Sequence, residues 1–202
     1  MARSPGCRRL LQDVARTINA AARGPGNNGD VRRLYVMSRS LVDLPPVEDE
    51  EALSSYETGR DDLALLDLIA RAYWWHPDEQ WDARRLAGEV ERRSFSPHDL
   101  QLYRRDDELE ALCWTKLLDG PGEPKGLLLM VGVNPARRGR GLGRKIVIAG
   151  LHHLRRQGVD EALLYVDTTN VRAVRLYVAL GFEVVHTEHR FHERPLTVPP
   201  TV

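Results

Sequence analysis

Cysteine is nearly absent from this chain: Cys7 and Cys113 are the only two in 202 residues. Neither a metal-ligand spacing nor a disulfide framework can be made from them, and such usage suits a reducing cytoplasm. Net charge is absent as well, because 29 Lys plus Arg balance 29 Asp plus Glu. No overall field therefore favours nucleic acid or an anionic membrane as partner. Long apolar runs are missing, and residues 1 to 30 carry Arg8, Arg9 and Arg16 but no sustained apolar core. Neither a membrane span nor a signal peptide is expected.

What stands out against this neutral background is the stretch from Leu127 to Lys145. Seven apolar or glycine residues, Leu127-Leu128-Leu129-Met130-Val131-Gly132-Val133, read as a buried strand that stops at Asn134-Pro135. After it come Arg137-Arg138-Gly139-Arg140-Gly141-Leu142-Gly143-Arg144-Lys145. Glycines at alternate positions let the backbone approach a ligand where a Cβ would collide. Their N–H groups and the first turn of the next helix form a concavity suited to pyrophosphate. Two nucleotide folds are excluded here. Lys145 is followed by Ile146, not the Ser or Thr of a P-loop, and the spacing is G-x-G-x-G rather than the G-x-G-x-x-G of a dinucleotide fold. Read from the loop alone, the alternative is a glycine-rich turn that only starts a helix.

In chain order, residues 1 to 22 read as an amphipathic helix and residues 24 to 30 as turn material, and Leu34 to Leu41 fit a strand. The acidic, proline-interrupted stretch Asp43 to Glu51 is the best linker. The expected division is an appendage over residues 1–50, a main domain over 51–192 and a flexible tail over 193–202. Asp61-Asp62 should open a helix that runs to about Ala72, followed by the loop Tyr73-Trp74-Trp75-His76-Pro77 and a charged helix from about Trp81 to Arg93. Strands are expected at Leu100–Tyr103 and Glu110–Leu118, with a turn at 105–107. After the glycine loop, Leu142, Ile146, Ala149 and Leu154 mark one buried helix face, ended by Gly158. A strand at Glu161–Val166, a short helix from Asn170 to Leu180, a C-cap at Gly181 and a strand at Phe182–His186 complete the pattern. Alternating strands and helices imply an α/β or α+β fold around a mixed central sheet.

Two motifs carry a resemblance. Arg138-x-x-Gly141-x-Gly143 after an apolar strand, and Asn170-x-x-Ala173-x-x-Leu176-Tyr177-x-x-Leu180-Gly181-Phe182 after the next strand, resemble the GCN5-related N-acetyltransferase (GNAT) superfamily over residues of about 55 to 190. More closely, Cys113-Trp114-Thr115-Lys116, Val131-Gly132-Val133-Asn134-Pro135 and Leu164-Tyr165-Val166-Asp167 are similar to the C-terminal domain of the mycothiol synthases, and residues 31 to 46 to the end of their first domain. The resemblance implies a sheet with two splayed strands flanked by helices, and acetyl-CoA as cosubstrate with no metal. It also implies transfer of acetyl to the cysteinyl amine of a cysteine–glucosamine–inositol conjugate. The amides of Arg138, Gly139, Arg140, Gly141, Leu142, Gly143 and Arg144 would then hold the pyrophosphate. Val131 and Val133 would pair with the pantetheine arm as an added strand, and Asn170 would hydrogen-bond that arm. Tyr177 would protonate the departing thiolate; without the motif it is equally a core tyrosine.

One departure is visible. In mycothiol synthases a glutamate opens the strand where this chain has Leu127, which removes the expected general base. Glu110 and Glu123 are possible substitutes, although each is also an ordinary edge or turn charge. The alternatives are acetylation of another small amine or peptide, and a non-catalytic acyl-CoA-binding module. The expected partners are a small-molecule amine and, for assembly, itself at most, as monomer or homodimer, with neither nucleic acid nor membrane. His186, His189 and His192 recur at every third residue, a spacing that alternates faces on a strand and argues against a metal site. His152-His153 reads as partly exposed without a partner. Trp74-Trp75-His76-Pro77 fits either an acceptor-pocket wall or core packing. Arg137, Arg140 and Arg144 fit either phosphate partners or solvated charges.

Overall fold

The computed structural model describes residues 31–74, 81–118 and 123–191. The expected N-terminal helix, the tail from 192, Cys7, Trp75–Pro77 and His192 lie outside the described residues. Strands β1 (Val31–Ser40), β2 (Leu53–Ser55), β3 (Leu100–Arg105), β4 (Glu108–Leu118), β5 (Lys125–Val133), β6 (Glu161–Asp167) and β7 (Glu183–Phe191) form a 7-stranded sheet in the order β2-β3-β4-β5-β6-β1-β7. The described helices are α1 (Asp62–Ala72), α2 (Ala83–Val90), α3 (Leu142–Arg156) and α4 (Val171–Ala179). The β5–β6 pair is parallel and the others are antiparallel. Parallel neighbours need a crossover, and α3 provides it.

Both faces of the sheet are covered over β4 and β5, which is why β5 reads as continuously apolar rather than alternating. On one face α1 and α2 bury Leu65, Leu68, Ile69 and Leu86 against Leu102, Leu112, Trp114 and Met130. On the other face α3 and α4 bury Ile146, Leu151, Leu154 and Tyr177 against Met37, Cys113, Leu128 and Leu164. The fit under α3 is close: a Cβ on Gly150 would lie 2.5 Å from Cys113 Sγ and 3.3 Å from Thr115 Cγ2. Gly150 is thus small because the helix axis sits directly over β4.

The sheet begins earlier than the expected domain boundary near Glu51. β1 lies between β6 and β7, with Val36 opposite Tyr165 on one side and His186 on the other. Its alternation explains the placement, since Leu34 and Val36 bury one face and Met37 the other. Eight residues of β1, Val31 to Ser38, also template a longer β7 than the expected Phe182–His186. At 105–107 the turn is as tight as expected, with Asp106 at φ 50° and Asp107 at φ 62°.

Residues 43–52, expected to be a linker, form a belt beside α3. His152 Nε2 lies 2.8 Å from Pro45 O, and one helical stretch earlier Lys145 Nζ donates to Asp49 Oδ2 at 2.6 Å. Asp49, at φ 53°, also accepts from the buried Tyr103 hydroxyl at 2.8 Å. Leu44 and Val47 pack on the core, so the apolar residues between the acids anchor the stretch. The Arg39 guanidinium closes its near end on Asp43 O at 2.8 Å and on Leu180 O.

Candidate active site

The site starts from a break in the sheet. β5 and β6 pair through Gly126–Ala162, Leu127–Leu163 and Leu128–Leu164, and there the ladder stops. At that level β5 carries a bulge. Thr115 faces Leu128 and Trp114 faces Met130, which leaves Leu129 without a partner and 38% exposed. A bulge bends and twists its strand, so the residues beyond it diverge from β6.

The phase of the β4–β5 ladder decides which peptide groups face this cleft. Asn134 N donates to Glu110 O at 2.8 Å, so 110/134 is a hydrogen-bonded pair. In an antiparallel ladder such pairs alternate, and 112/132 and 114/130 share that class. The pairs Ala111–Val133 and Cys113–Val131 fall in the other class. The N–H and C=O groups of Val131 and Val133 therefore point away from β4, into the cleft left by β6. These are the two residues expected to receive an extended ligand as an added strand.

Where β5 ends, the glycine loop begins. Asn134 is 1% exposed, and its Oδ1 accepts from Ala136 N at 3.0 Å to start a short 3-10 turn at Pro135–Arg137. Gly139 at φ 83° and Gly141 at φ 79° adopt a backbone open to glycine and costly for other residues. Gly143 serves differently, since a Cβ there would lie 3.2 Å from Leu176 Cδ2, so it allows α3 to pack against α4. In the first α3 turn Arg144 N donates to Gly141 O at 3.0 Å, which leaves the N–H groups of Leu142 and Gly143 at the positive end of the helix dipole.

The basic cluster sorts itself by partner. Arg137 is taken by Glu108 at 2.6 Å and Glu110 at 2.9 Å, the latter a close ion pair without good hydrogen-bond geometry at Nε. Lys145 is taken by Asp49 and by Glu48 at 3.6 Å. Arg138, Arg140 and Arg144 are exposed, and none of the three forms an ion pair among the described residues. The charge left for an anion thus lies on the loop side of the α3 terminus.

α4 brings the second motif to the same cleft. Asn170 caps it, Oδ1 accepting from Ala173 N at 3.2 Å, so the amide NH₂ is what remains for a ligand. Tyr177 is 8% exposed, with its ring edge-on to Phe182 at 5.7 Å. Burial pushes its phenol above the ordinary tyrosine value, and nearby Cys113 adds to the rise. Cys113 is the register partner of Val131, which places Tyr177 on the helix-covered side of the cleft. Val131 and Val133 pack against the same core cluster as Tyr177. The structure thus brings Val131, Val133 and Tyr177 to one core cluster beside the glycine loop, while of the expected loop amides Arg138 N is already bonded to Pro135 O at 3.4 Å and Arg144 N to Gly141 O at 3.0 Å.

No base joins them. Leu127 is 3% exposed in an apolar cluster with Val36, Leu118 and Leu163. Glu110 is buried against Arg137, and it lies four residues along β4 from Trp114 at the bulge, a distance of about 13 Å at the usual strand rise. Glu123 is exposed ahead of β5, on the far side of the bulge. Neither carboxylate faces the cleft.

Other sequence readings change. His152 and His153 are both partnered, His152 by Pro45 and the buried His153 by Asp99 Oδ1 at 2.8 Å. His186 stands opposite Val36 and His189 opposite Arg33, on alternate faces of the sheet. Trp74 is 74% exposed, while Trp81 packs on Trp114 at 5.4 Å beneath the Arg85 guanidinium. Sequence reading missed Tyr73, whose hydroxyl binds both main-chain atoms of Val131. Its one signal was an aromatic residue directly after the α1 stripe. No described helix is long and apolar enough to cross a membrane.

With this geometry in place, three comparisons bear on it. The family model described as acetyltransferase (GNAT) family matches residues 63–182. A protein of Thermobispora bispora named mycothiol acetyltransferase is 40% identical over 158 residues, covering 75% of this chain and 54% of that protein. One of the same name from Acidothermus cellulolyticus is 36% identical over 187 residues, covering 85% of this chain and 55% of that protein. The chain thus spans about half the length of these relatives. Among solved structures, a GCN5-related N-acetyltransferase from Sphaerobacter thermophilus superposes with a TM-score of 0.65 at 25% identity, over 91% of this chain and 57% of that one. The ribosomal-protein-S18-alanine N-acetyltransferase of Escherichia coli gives 0.53 at 26% identity, over 65% of this chain and 76% of that one. This chain belongs to the GNAT family of acetyltransferases.

Proposed function

We propose that the protein is an acetyl-CoA-dependent N-acetyltransferase whose acceptor is the cysteinyl amine of a cysteine–glucosamine–inositol conjugate, a small soluble molecule met in the cytoplasm. One observation carries the cofactor half of this reading. A split sheet presents the main chain of Val131 and Val133 beside an anion loop, so a ligand with an extended amide arm and a pyrophosphate fits both at once. The acceptor half rests on the likeness to proteins named mycothiol acetyltransferase.

Bound there, acetyl-CoA would supply the activated acyl group. Gly139 to Arg144 and the exposed arginines would hold its phosphates, and Asn170 and Val133 its arm. In the transfer the amine lone pair forms the new C–N bond, the C–S bond breaks, and the electron pair leaves on sulfur. The Tyr177 hydroxyl would serve that sulfur as a hydrogen donor, and the ammonium proton would pass to water, since Leu127 supplies no base. The apolar Leu127 also favours a second reading, a module that binds acyl-CoA without turnover.

The test is thiol release from acetyl-CoA with the cysteinyl conjugate, set beside simple alkyl amines and a peptide N-terminus. Release with the conjugate well above that with the other amines is expected. Release with alkyl amines alone would replace the acceptor. Cofactor binding with no release for any amine would select the non-catalytic module.

A further inference from the structure

The phenol of Tyr73 occupies the main-chain groups that the cleft offers to a ligand. Tyr73 caps the end of α1, its own N–H bonded to Ile69 O at 2.9 Å, and its ring packs partly buried against the core beneath α1. From there the hydroxyl donates to Val131 O at 2.7 Å, while Val131 N donates to the phenol oxygen at 3.2 Å. One oxygen thus satisfies both the donor and the acceptor that an added strand would use at this residue. An amide of a ligand arm needs the same two atoms at the same distances of about 3 Å, so phenol and arm exclude each other.

We propose that Tyr73 is a built-in occupant of the cofactor cleft, which an acyl-CoA arm must displace when it enters. The idea rests on the reading of the cleft given above. It makes Tyr73 a residue that sets cofactor affinity and entry rate, in competition with the cofactor. The fold favours such a role. Tyr73 has left the helical conformation, at φ −117° and ψ 21°, so its side chain can swing without unwinding a helical turn. The groups it releases, Val131 N–H and C=O, pass directly to the arm, so no peptide group is left unpaired by the exchange.

Tyr73→Phe separates the oxygen from the ring. Binding of CoA, and of adenosine 3′-phosphate 5′-diphosphate as a probe that has the phosphates but no arm, is measured by calorimetry in both proteins. The variant is expected to bind CoA about three- to tenfold more tightly, as befits the loss of one or two competing hydrogen bonds, with the armless probe changed less than twofold. Stopped-flow association of CoA should level off with concentration in the native protein and stay linear in the variant. Equal or weaker CoA binding by Tyr73→Phe overturns the proposal, and a matching gain for the armless probe does so too. Failure of both proteins to bind CoA would overturn the cofactor reading itself, and the proposal with it.

Discussion

Removal of the Tyr177 hydroxyl tests the chemistry most directly, and the structure sets how large the effect should be. A free phenol has a pKa of about 10 and a thiol about 8.5, so full proton transfer to a leaving thiolate is already uphill by about 2 kcal/mol. Burial raises the Tyr177 phenol further, because the core between Phe182 and Cys113 disfavours a phenolate. In the proposed reaction complete transfer during C–S cleavage is therefore disfavoured, and the hydroxyl would act as a hydrogen-bond donor to the developing charge. Such a bond to a charged group is worth about 1.5–3 kcal/mol, or about 10- to 150-fold in rate. Tyr177→Phe should lower kcat by that factor and leave the Kd of acetyl-CoA within about twofold, since the ring stays against Phe182. Steady-state kinetics with separate binding measurements decide the matter. A loss above about 1,000-fold would show a full general acid and refute this reasoning. A loss below about threefold would remove Tyr177 from the site.

Arg140→Gln should raise the Kd of CoA about three- to tenfold at low ionic strength, with the difference fading near 1 M salt, because the guanidinium is exposed and its attraction screened. Gly150→Ala should cost about 1–3 kcal/mol in urea denaturation, since its Cβ meets Cys113 Sγ at 2.5 Å; an unchanged midpoint would mean that α3 can lift from β4. Cys113 gives a pH effect: burial pushes its thiol from 9.0 up to about 12, so the native state keeps a proton that the unfolded chain loses. Its contribution is whole below pH 9 and declines as pH climbs toward 12, by about 1.4 kcal/mol per unit, and Cys113→Ala should remove that part of the slope between pH 9 and 10.

The sequence exposed the parts of this site that depend on local backbone chemistry. Gly139 and Gly141 declare positive φ, Asn134-Pro135 declares the end of β5, and Asn170 declares a cap. It hid the parts that depend on what comes from far along the chain. Nothing near Lys145 shows that Asp49, 96 positions earlier, claims its charge, and Arg137 looks like Arg140 until Glu108 and Glu110 are folded beside it. The belt is hidden for a similar reason, since Pro45-Pro46 and the acids signal a linker while the anchoring by Leu44, Val47 and Tyr103 is long-range. β1 was legible as a strand, but its place between β6 and β7 is a property of the whole sheet.

Leu127 narrows the acceptor through the basicity of amines. Attack on a thioester needs a neutral amine, and with an apolar side chain where a carboxylate is expected, the neutral fraction is set by the acceptor's own pKa. An α-amine with a pKa of about 7.7–8.0 is roughly a quarter neutral near pH 7.4, whereas an alkyl amine like that of lysine, near 10.4, is about 0.1% neutral. The difference, some 200-fold, falls within the 10²–10⁴ that a positioned base contributes. Without a carboxylate at position 127, alkyl amines are handicapped far more than α-amines. The cysteinyl amine belongs to the second class, so the loss of the carboxylate is least damaging for the acceptor that the relatives' name suggests.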